Sequence, residues 1–203
     1  MPGRQHPQTA ATSRGLFGGA ITASVAESFL DVSHIREIPD NQEVFVDVET
    51  DQSIVVELLE SPEGVAAEDA AKYHFEQLAA DNDSGEATIL SVEQLEVASA
   101  TPYLPPTTQA SILVGRQQIN KFNERTPSAV NTVVIYLAVI RLPQVGTDVL
   151  VSYNHPIALG EGSSSAAALS EAGGHIGVPD VAAENFKRSV QSLNVIDWGL
   201  FGV

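Results

Sequence analysis

Residues 31–60 read DVSHIREIPDNQEVFVDVETDQSIVVELLE, a stretch in which acidic residues alternate with strand-forming runs. It contains nine carboxylates against a single basic residue, Arg36. Two runs rich in valine and other strand-forming residues, Val44–Val48 and Ile54–Leu59, are typical of β-strands. A disordered acidic tail would lack such runs, so we expect a folded unit with a strongly negative surface.

The negative charge of the chain lies almost entirely in its first half. Residues 1–96 contain 19 acidic and 4 basic side chains, a net charge of −15, whereas residues 97–203 contain 7 and 6. Nucleic acids and anionic membranes bind basic patches, and none is visible, so neither is an expected partner. Crowded like charges destabilise a compact state, so the negative surface needs a reason: solubility, a cation site or a basic partner. Of these we favour a basic protein partner, since opposite charges accelerate encounter.

Length and composition limit the organisation of the chain. At 203 residues it is expected to form one domain, over residues 15–203, after a disordered tail at residues 1–14. The absence of cysteine excludes disulfides, thiolate metal sites and cysteine nucleophiles. No stretch of about 18 apolar residues is present, so no membrane-spanning helix is expected. We expect a monomer without cofactor or metal.

The periodicity predicts an α/β sandwich, with a central, mainly antiparallel sheet of about six strands and helices packed on its faces. The long strands are expected at 111–122 and 130–142, and their short connections favour antiparallel pairing. One helix is expected from Ser61 to Ala80 and a second from Pro179. Leu159–Val178 is of low complexity and predicts a mobile, surface-exposed loop.

The catalytic motifs that we searched for are missing from the sequence. There is no phosphate-binding loop, no dinucleotide-binding glycine motif after a strand, no nucleophile elbow and no HExxH. His74 lies near the apolar stripe of the first predicted helix, which favours a partly buried, hydrogen-bonded histidine over a catalytic one. Glu57 and Glu60 could form an acid/base pair or could be solvated charges at the end of a strand. Residues three apart in a regular strand point to opposite faces, so both can meet one partner only if the strand ends or twists near Leu59.

Several blocks of the sequence resemble one known family. The blocks are LFGGAI (16–21), DVS (31–33), REIPDNQEVF (36–45), DQS (51–53), VELLE (56–60), YHFE (73–76), GRQQI (115–119), RLPQ (141–144), TDVL (147–150) and LFG (200–202). Together, PDNQEVF and ELLE are highly specific. The chain thus resembles the Ran-binding nuclear import factors, also called Ran guanine nucleotide release factors. The N-terminal tail and the segments 98–109 and 159–178 depart from the pattern.

This resemblance implies a fold and a function. The fold is an α/β sandwich similar to an extrinsic photosystem II subunit. The function is binding of the small GTPase Ran, with release of its guanine nucleotide in support of nuclear protein import, and no catalytic residues. The protein would be found in nucleus and cytoplasm. The partner-binding residues implied by the resemblance are Asp31, Arg36, Glu37, Asp40, Gln42, Glu43, Glu57 and Glu60.

Two other functions remain open at this point. The protein could be an acidic scaffold, chaperone or trafficking adaptor that holds nucleotide-free GTPase without true exchange activity. It could instead be a hydrolase that uses Glu57 and Glu60. Neither GTP over GDP preference nor catalytic exchange over stoichiometric release follows from the residues.

Overall fold

A computed structural model describes residues 10–120, 124 and 126–202. In this part of the chain the strands are β1 (Ala11–Leu16), β2 (Ile21–Ala26), β3 (Leu30–Asp31), β4 (Gln42–Asp47), β5 (Gln52–Glu60), β6 (Glu86–Gln94), β7 (Gln109–Ile119), β8 (Asn131–Leu142), β9 (Thr147–Ala158) and β10 (Asn194–Val195). The α-helices are α1 (Ala67–Asp81), α2 (Val97–Ala100), α3 (Ser164–Glu171) and α4 (Pro179–Ser192). Short 3₁₀ helices lie at Phe17–Gly19, Val32–His34, Pro127–Ala129 and Trp198–Phe201.

The main sheet has seven strands in the order β3-β4-β5-β9-β8-β7-β6, and every neighbouring pair is antiparallel. The predicted antiparallel sandwich is therefore confirmed. The expected number of about six strands is too low for this sheet, because β3 adds a two-residue strand at one edge. Strand β8 runs near the middle, and most of its apolar residues are buried, on both faces of the sheet. That burial is typical of a central strand.

The two long helices cover opposite faces of this sheet. Helix α1 packs against β6, β7 and β8, with Ala71 and Phe75 buried alongside Ile135 and Leu137. Helix α4 packs on β2, β8 and β9 on the other side. Gly115 of β7 lies directly under the Phe75 ring, where a Cβ atom would come within 2.4 Å of it. We call the two faces the α1 side and the α4 side.

A second, three-stranded sheet, β1-β2-β10, packs on the α4 side. Strands β1 and β2 form a hairpin across a turn in which Gly18 and Gly19 take positive φ. The expected tail at residues 1–14 is therefore wrong at its end, because β1 already begins at Ala11. Residues 1–9 of that predicted tail lie outside the described residues.

The first long helix starts later than predicted. We expected Ser61 to cap it, but α1 begins at Ala67, and Gly64 takes a positive φ of 74° in between. The Ser61 hydroxyl donates instead to Asp148 Oδ1, at 2.8 Å. The side chain is therefore not available to cap a helix, and residues 61–66 form a connection.

The expected mobile loop at 159–178 contains a helix, so the prediction of a loop there is wrong. Helix α3 begins after Ser163, whose hydroxyl accepts from Ala166 N, and it buries Leu169. Beyond the helix, the chain is anchored by a hydrogen bond from His175 N to Glu49 O, at 2.8 Å. The segment is thus part of the packed structure.

Truncation of Leu169 tests this correction. We expect Leu169→Ala to lower the free energy of unfolding by about 2–3 kcal/mol, since it opens a cavity beneath α3. The matched change Ala168→Ser, at an exposed position of the same helix, should have an effect below about 0.5 kcal/mol. Urea titrations followed by circular dichroism would measure both. If Leu169→Ala has the same free energy of unfolding as the parent, Leu169 does not pack against the body and residues 159–178 behave as the loop that the sequence predicted.

Candidate partner-binding surface

The eight residues that the resemblance assigns to partner binding lie along one edge of the main sheet. They belong to β3, β4, β5 and the connection between β3 and β4, which are consecutive in both sequence and sheet order. We call this set the acidic edge: Asp31, Arg36, Glu37, Asp40, Gln42, Glu43, Glu57 and Glu60. Because β3, β4 and β5 pair as an antiparallel meander, the acidic blocks remain neighbours in the fold.

The β3–β4 connection presents its charges to solvent. Asp31 caps the short 3₁₀ helix after β3 by accepting a hydrogen bond from Ser33 N, at 2.8 Å. Burial opposes ionisation of Asp31, but the hydrogen bonds from Ser33 prevail and lower its pKa. Arg36, Glu37 and Asp40 are exposed farther along the connection. A partner can therefore reach these three side chains directly.

Gln42 and Glu57 form a cross-strand pair on the α1 side. They are opposite one another in the β4–β5 register, and Gln42 Nε2 donates to Glu57 Oε1 at 2.7 Å. Asn41 Nδ2 lies 3.4 Å from the same oxygen and also donates to the Leu58 carbonyl, at 3.1 Å. These amides hold Glu57 in place before any partner arrives.

Glu43 has a different environment from Gln42, although the two residues are adjacent. It points to the α4 side, where Glu43 Oε1 accepts a hydrogen bond from Phe17 N in the turn of the β1–β2 hairpin. This carboxylate is half-buried and joins the second sheet to the acidic edge. This hydrogen bond therefore positions the turn of the hairpin.

Glu57 and Glu60 point to opposite faces of the sheet. Strand β5 continues without a break to Glu60, and its register with β9 is regular from Ser53–Asn154 to Glu60–Thr147. Glu57 lies on the α1 side, and Glu60 is exposed on the α4 side. The strand ends only after Glu60, and its pairing with β9 is regular through that residue, so alternation is kept and the two carboxylates do not face one side. A partner can contact both carboxylates only if it reaches both faces of the sheet around the end of β5.

The same geometry argues against an acid/base pair. General acid and base must both lie within hydrogen-bond reach of the reacting groups. Carboxylates on opposite faces of a continuous strand do not meet that requirement, so the hydrolase alternative loses its candidate site. No cluster of three or more His, Asp or Glu residues suited to a metal ion occurs among the described residues.

A buried cluster behind the acidic edge was missed by the sequence analysis. Asp148 of β9 is fully buried and accepts from Arg141 Nε at 2.7 Å, Arg141 Nη2 at 2.8 Å, Ser61 Oγ at 2.8 Å and His74 Nε2 at 2.8 Å. Arg141 Nη1 also donates to the Val65 carbonyl, at 2.7 Å. We call Ser61, His74, Arg141 and Asp148 the Asp148 cluster. It joins the end of β5 to α1, β8 and β9.

The charge state of this cluster follows from its contacts. Burial would raise the pKa of Asp148, but the hydrogen bonds from Arg141, His74 and Ser61 outweigh burial and hold the pKa well below its usual value. His74 is hydrogen-bonded, as predicted, and is fully rather than partly buried. A sequence signal for part of the cluster did exist, because Arg141 and Asp148 flank the β8–β9 turn as opposite charges.

Comparison with known proteins identifies the family. A model of the family described as "Ran-interacting Mog1 protein" matches residues 14–156. The chain belongs to this family. It is 42% identical over 193 residues to the Ran guanine nucleotide release factor of Danio rerio, covering 94% of this chain and 100% of that protein. It is 36% identical to the Homo sapiens protein of the same name, covering 92% and 95%, and 30% identical to nuclear import protein MOG1 of Saccharomyces cerevisiae, covering 92% and 83%.

Solved structures agree with this assignment. The crystal structure of the Saccharomyces cerevisiae Ran-binding protein Mog1p superposes with a TM-score of 0.67 at 27% identity, covering 95% of this chain and 99% of that one. A point mutant of Mog1 gives a TM-score of 0.68 at 26% identity, with the same coverage. Cyanobacterial PsbP from Synechocystis shares the fold alone, at a TM-score of 0.53 and 13% identity. The expected likeness to an extrinsic photosystem subunit is confirmed at the level of fold.

Among the described residues, no helix has both the length and the hydropathy needed to cross a membrane.

Neutralising Asp148 tests the role of the buried cluster. Asp148→Asn keeps the shape but leaves Arg141 without its buried counter-charge, so we expect the free energy of unfolding at pH 7 to fall by about 3–5 kcal/mol. Because the pKa of Asp148 is lowered in the folded state, the parent protein should lose stability as the pH falls below about 4. Asp148→Asn lacks this carboxyl group, so the variant should lose less stability over the same range. Urea titrations at pH 7 and pH 3 would measure both effects. The exposed change Glu161→Gln is the control, and a loss at pH 7 below about 1 kcal/mol would mean that the pair behaves like a surface ion pair.

Proposed function

We propose that this protein binds the small GTPase Ran through the acidic edge and promotes release of its bound guanine nucleotide, in support of nuclear protein import. The observation that carries the proposal is the placement of all eight candidate residues on three neighbouring strands and one connection. These strands lie in the half of the chain with a net charge of −15. Such a surface favours a basic protein partner and speeds its approach.

Membership in the family supports this assignment. The relatives from Danio rerio and Homo sapiens are named Ran guanine nucleotide release factors, and that from Saccharomyces cerevisiae a nuclear import protein. The chain covers 100%, 95% and 83% of the length of these three relatives, which supports a shared activity. A protein that acts on Ran during import is expected in both nucleus and cytoplasm, and we expect it to act as a monomer.

Release of the nucleotide follows from competition and needs no catalytic residues. A GTPase holds its nucleotide with backbone amides, a phosphate-loop lysine and a magnesium ion. Carboxylates brought to that region repel the phosphates and compete with them for the lysine and the magnesium ion. By linkage, nucleotide must weaken binding of this protein by the same factor by which this protein weakens nucleotide.

The size of the effect indicates that several residues act together. A thousandfold weakening of nucleotide affinity requires about 4 kcal/mol of coupling free energy. A single exposed ion pair contributes only about 0–1 kcal/mol. The acidic edge offers seven charged side chains in addition to Gln42. A conformational change in the GTPase would supply the remaining coupling free energy.

A nucleotide-exchange assay tests this function directly. Ran loaded with fluorescent GDP or GTP would be mixed with the protein at increasing ratios. Accelerated release at substoichiometric protein indicates true exchange. Release only at stoichiometric amounts, with a stable nucleotide-free complex, indicates the holding role instead. Failure to form any complex with Ran would overturn both.

Ionic strength should affect the rate of association. If the acidic edge steers Ran, raising the salt concentration from about 0.01 M to 0.15 M shortens the Debye length from about 30 Å to 8 Å. We therefore expect a clear fall in the association rate constant and a smaller change in the dissociation rate constant. Stopped-flow fluorescence would measure both. An association rate that stays flat over this range would place the docking surface outside the acidic half.

Removal of the two strand carboxylates tests the acidic edge. We expect Glu57→Ala with Glu60→Ala to weaken the Ran complex at least about thirtyfold, because interface energy is concentrated in few residues. Glu60 is exposed, so Glu60→Ala should change the free energy of unfolding by less than about 0.5 kcal/mol. Glu57 is half-buried and accepts from Gln42 and Asn41, so Glu57→Ala should lower it by about 1 kcal/mol. Calorimetry would measure binding, and the exchange assay would measure nucleotide release. The two single variants would show how much of the loss of affinity comes from the carboxylate on each face of the sheet.

The control for this pair must remove two charges elsewhere. Glu161 and Glu171 are both exposed and belong to the nearly neutral half of the chain. Glu161→Ala with Glu171→Ala should leave binding within about twofold of the parent. If the Glu57/Glu60 variant releases nucleotide as the parent does, the acidic edge is not the site.

A further inference from the structure

Two exposed apolar side chains lie beside the acidic edge, one at each end of the 3₁₀ helix Val32–His34. Leu30 of β3 precedes Asp31 and is 50% exposed. Ile35 precedes Arg36 and is 71% exposed, the largest fraction of any large apolar side chain among the described residues. Single exposed apolar residues are common in proteins, but two that flank one charged turn form a candidate contact surface.

The turn that carries Ile35 is held in place by hydrogen bonds and packing. Asp31 caps the 3₁₀ helix by accepting from Ser33 N. Ile35 N and Arg36 N both donate to the Val32 carbonyl, at 2.8 Å and 3.1 Å. Val32 is buried, and its helix packs against β4. The backbone of Ile35 is therefore ordered before a partner arrives, which lowers the entropy lost on binding.

Leu30 belongs to an apolar strip on the α1 side of β3, β4 and β5. It lies directly opposite Val46 in the β3–β4 register. The same face of β4 carries Val44 and then Gln42 of the acidic edge, and Val44 is paired with Val55 of β5. Helix α1 packs on β6, β7 and β8, and Val46 and Val55 are only half-buried beyond it. The strip is thus continuous with the acidic edge on one face of the sheet.

The two exposed side chains are close enough to meet one partner. Five peptide units separate the Cα atoms of Leu30 and Ile35, a span of no more than about 17 Å. A stable protein interface covers about 800 Å² on each partner, which is wide enough to include both.

The chemistry of this surface is that of an interface centre with a charged border. Protein interfaces combine an apolar centre with a polar rim, and a few buried side chains supply most of the affinity. Charges at the rim speed encounter but add little affinity. Leu30 and Ile35 supply the apolar part here, and the surrounding carboxylates suit basic residues at the border of the partner's contact surface.

We propose that Leu30 and Ile35 form the apolar centre of the Ran interface, in contact with apolar side chains of Ran that are bordered by basic ones. The proposal rests on the proposed function, because the occupant is taken to be Ran. It is supported by membership in a Ran-interacting family and by the continuity of the apolar strip with the acidic edge. In this arrangement the carboxylates accelerate association and the apolar pair slows dissociation.

A double variant that leaves the net charge unchanged tests the proposal. Leu30→Ala with Ile35→Ala should weaken binding to nucleotide-free Ran at least about tenfold, mainly through faster dissociation. The salt dependence of the association rate constant should stay as in the parent, since no charge is removed. Calorimetry would measure affinity, stopped-flow fluorescence the rate constants, and melting temperatures the integrity of the fold.

The control removes one isoleucine and one leucine from the opposite edge of the main sheet. Ile89 and Leu90 of β6 are 37% and 56% exposed, and β6 is the strand farthest from β3 in the sheet order. Ile89→Ala with Leu90→Ala should leave the affinity for Ran within about twofold of the parent.

A series at Ile35 separates apolar contact from charge. Ile35→Asp adds a carboxylate beside the acidic edge, so attraction of a basic partner by charge alone would strengthen binding. Burial of that carboxylate in an apolar contact would weaken it. We expect Ile35→Asp to bind Ran more weakly than Ile35→Ala does, and Ile35→Leu to bind within about threefold of the parent. The position is exposed, so these changes should leave the fold intact.

The outcomes that would overturn the proposal can be told apart from failure of the proposed function. If the parent binds Ran but the Leu30/Ile35 variant binds like the control, or Ile35→Asp binds more tightly than the parent, the apolar pair is not part of the interface and the proposed function stands. If sedimentation shows that the protein alone forms dimers and the Leu30/Ile35 variant does not, the occupant is a second copy of this chain. If the parent binds Ran in no nucleotide state, the proposed function fails and the assignment of the occupant fails with it.

Discussion

The buried carboxylate of Asp148 is the interaction on which the arrangement of this fold depends. It accepts four hydrogen bonds, from Arg141 of β8, His74 of α1 and Ser61 after β5. A buried charge without partners is strongly destabilising, so all of these elements must be in place together. The cluster therefore fixes the helix α1 relative to the end of β5. The Asp148 cluster thereby also positions the residues on both faces of β5.

The distribution of charge shows how the fold tolerates a net charge of −16. Most acidic side chains of the β3–β5 region reach solvent, where water and salt screen their repulsion. Within residues 10–120, 124 and 126–202, the two buried acids, Asp47 and Asp148, are both hydrogen-bonded. The charged strands still contribute to the core, because Phe45 of β4 and Ile54 and Val56 of β5 are buried on the α4 side.

The sequence predicted the features that depend on local pattern. The long strands, the apolar face of α1 around Phe75 and the neighbouring acidic blocks all follow from periodicity and chain order. Helix α3 was missed because its alanine- and serine-rich sequence has weak periodicity, and its place is set by distant contacts such as His175 N to Glu49 O. The faces of Glu57 and Glu60 depend on where β5 ends. That end is fixed by the bond from Ser61 to a residue 87 positions away, which no local pattern records.

The pairing of β2 with β10 affects the order in which the chain can fold on the ribosome. Strand β2 needs partners from the far end of the chain, as the hydrogen bond from Ser24 N to Ser192 Oγ, 168 positions apart, illustrates. At 5–20 residues per second, synthesis of that interval takes roughly 10–30 s. During this time the apolar side of the β1–β2 hairpin, including Ile21 and Val25, has no α4 to cover it. The nascent chain thus carries apolar surface next to its most acidic segment, and a high net charge opposes the association of such chains.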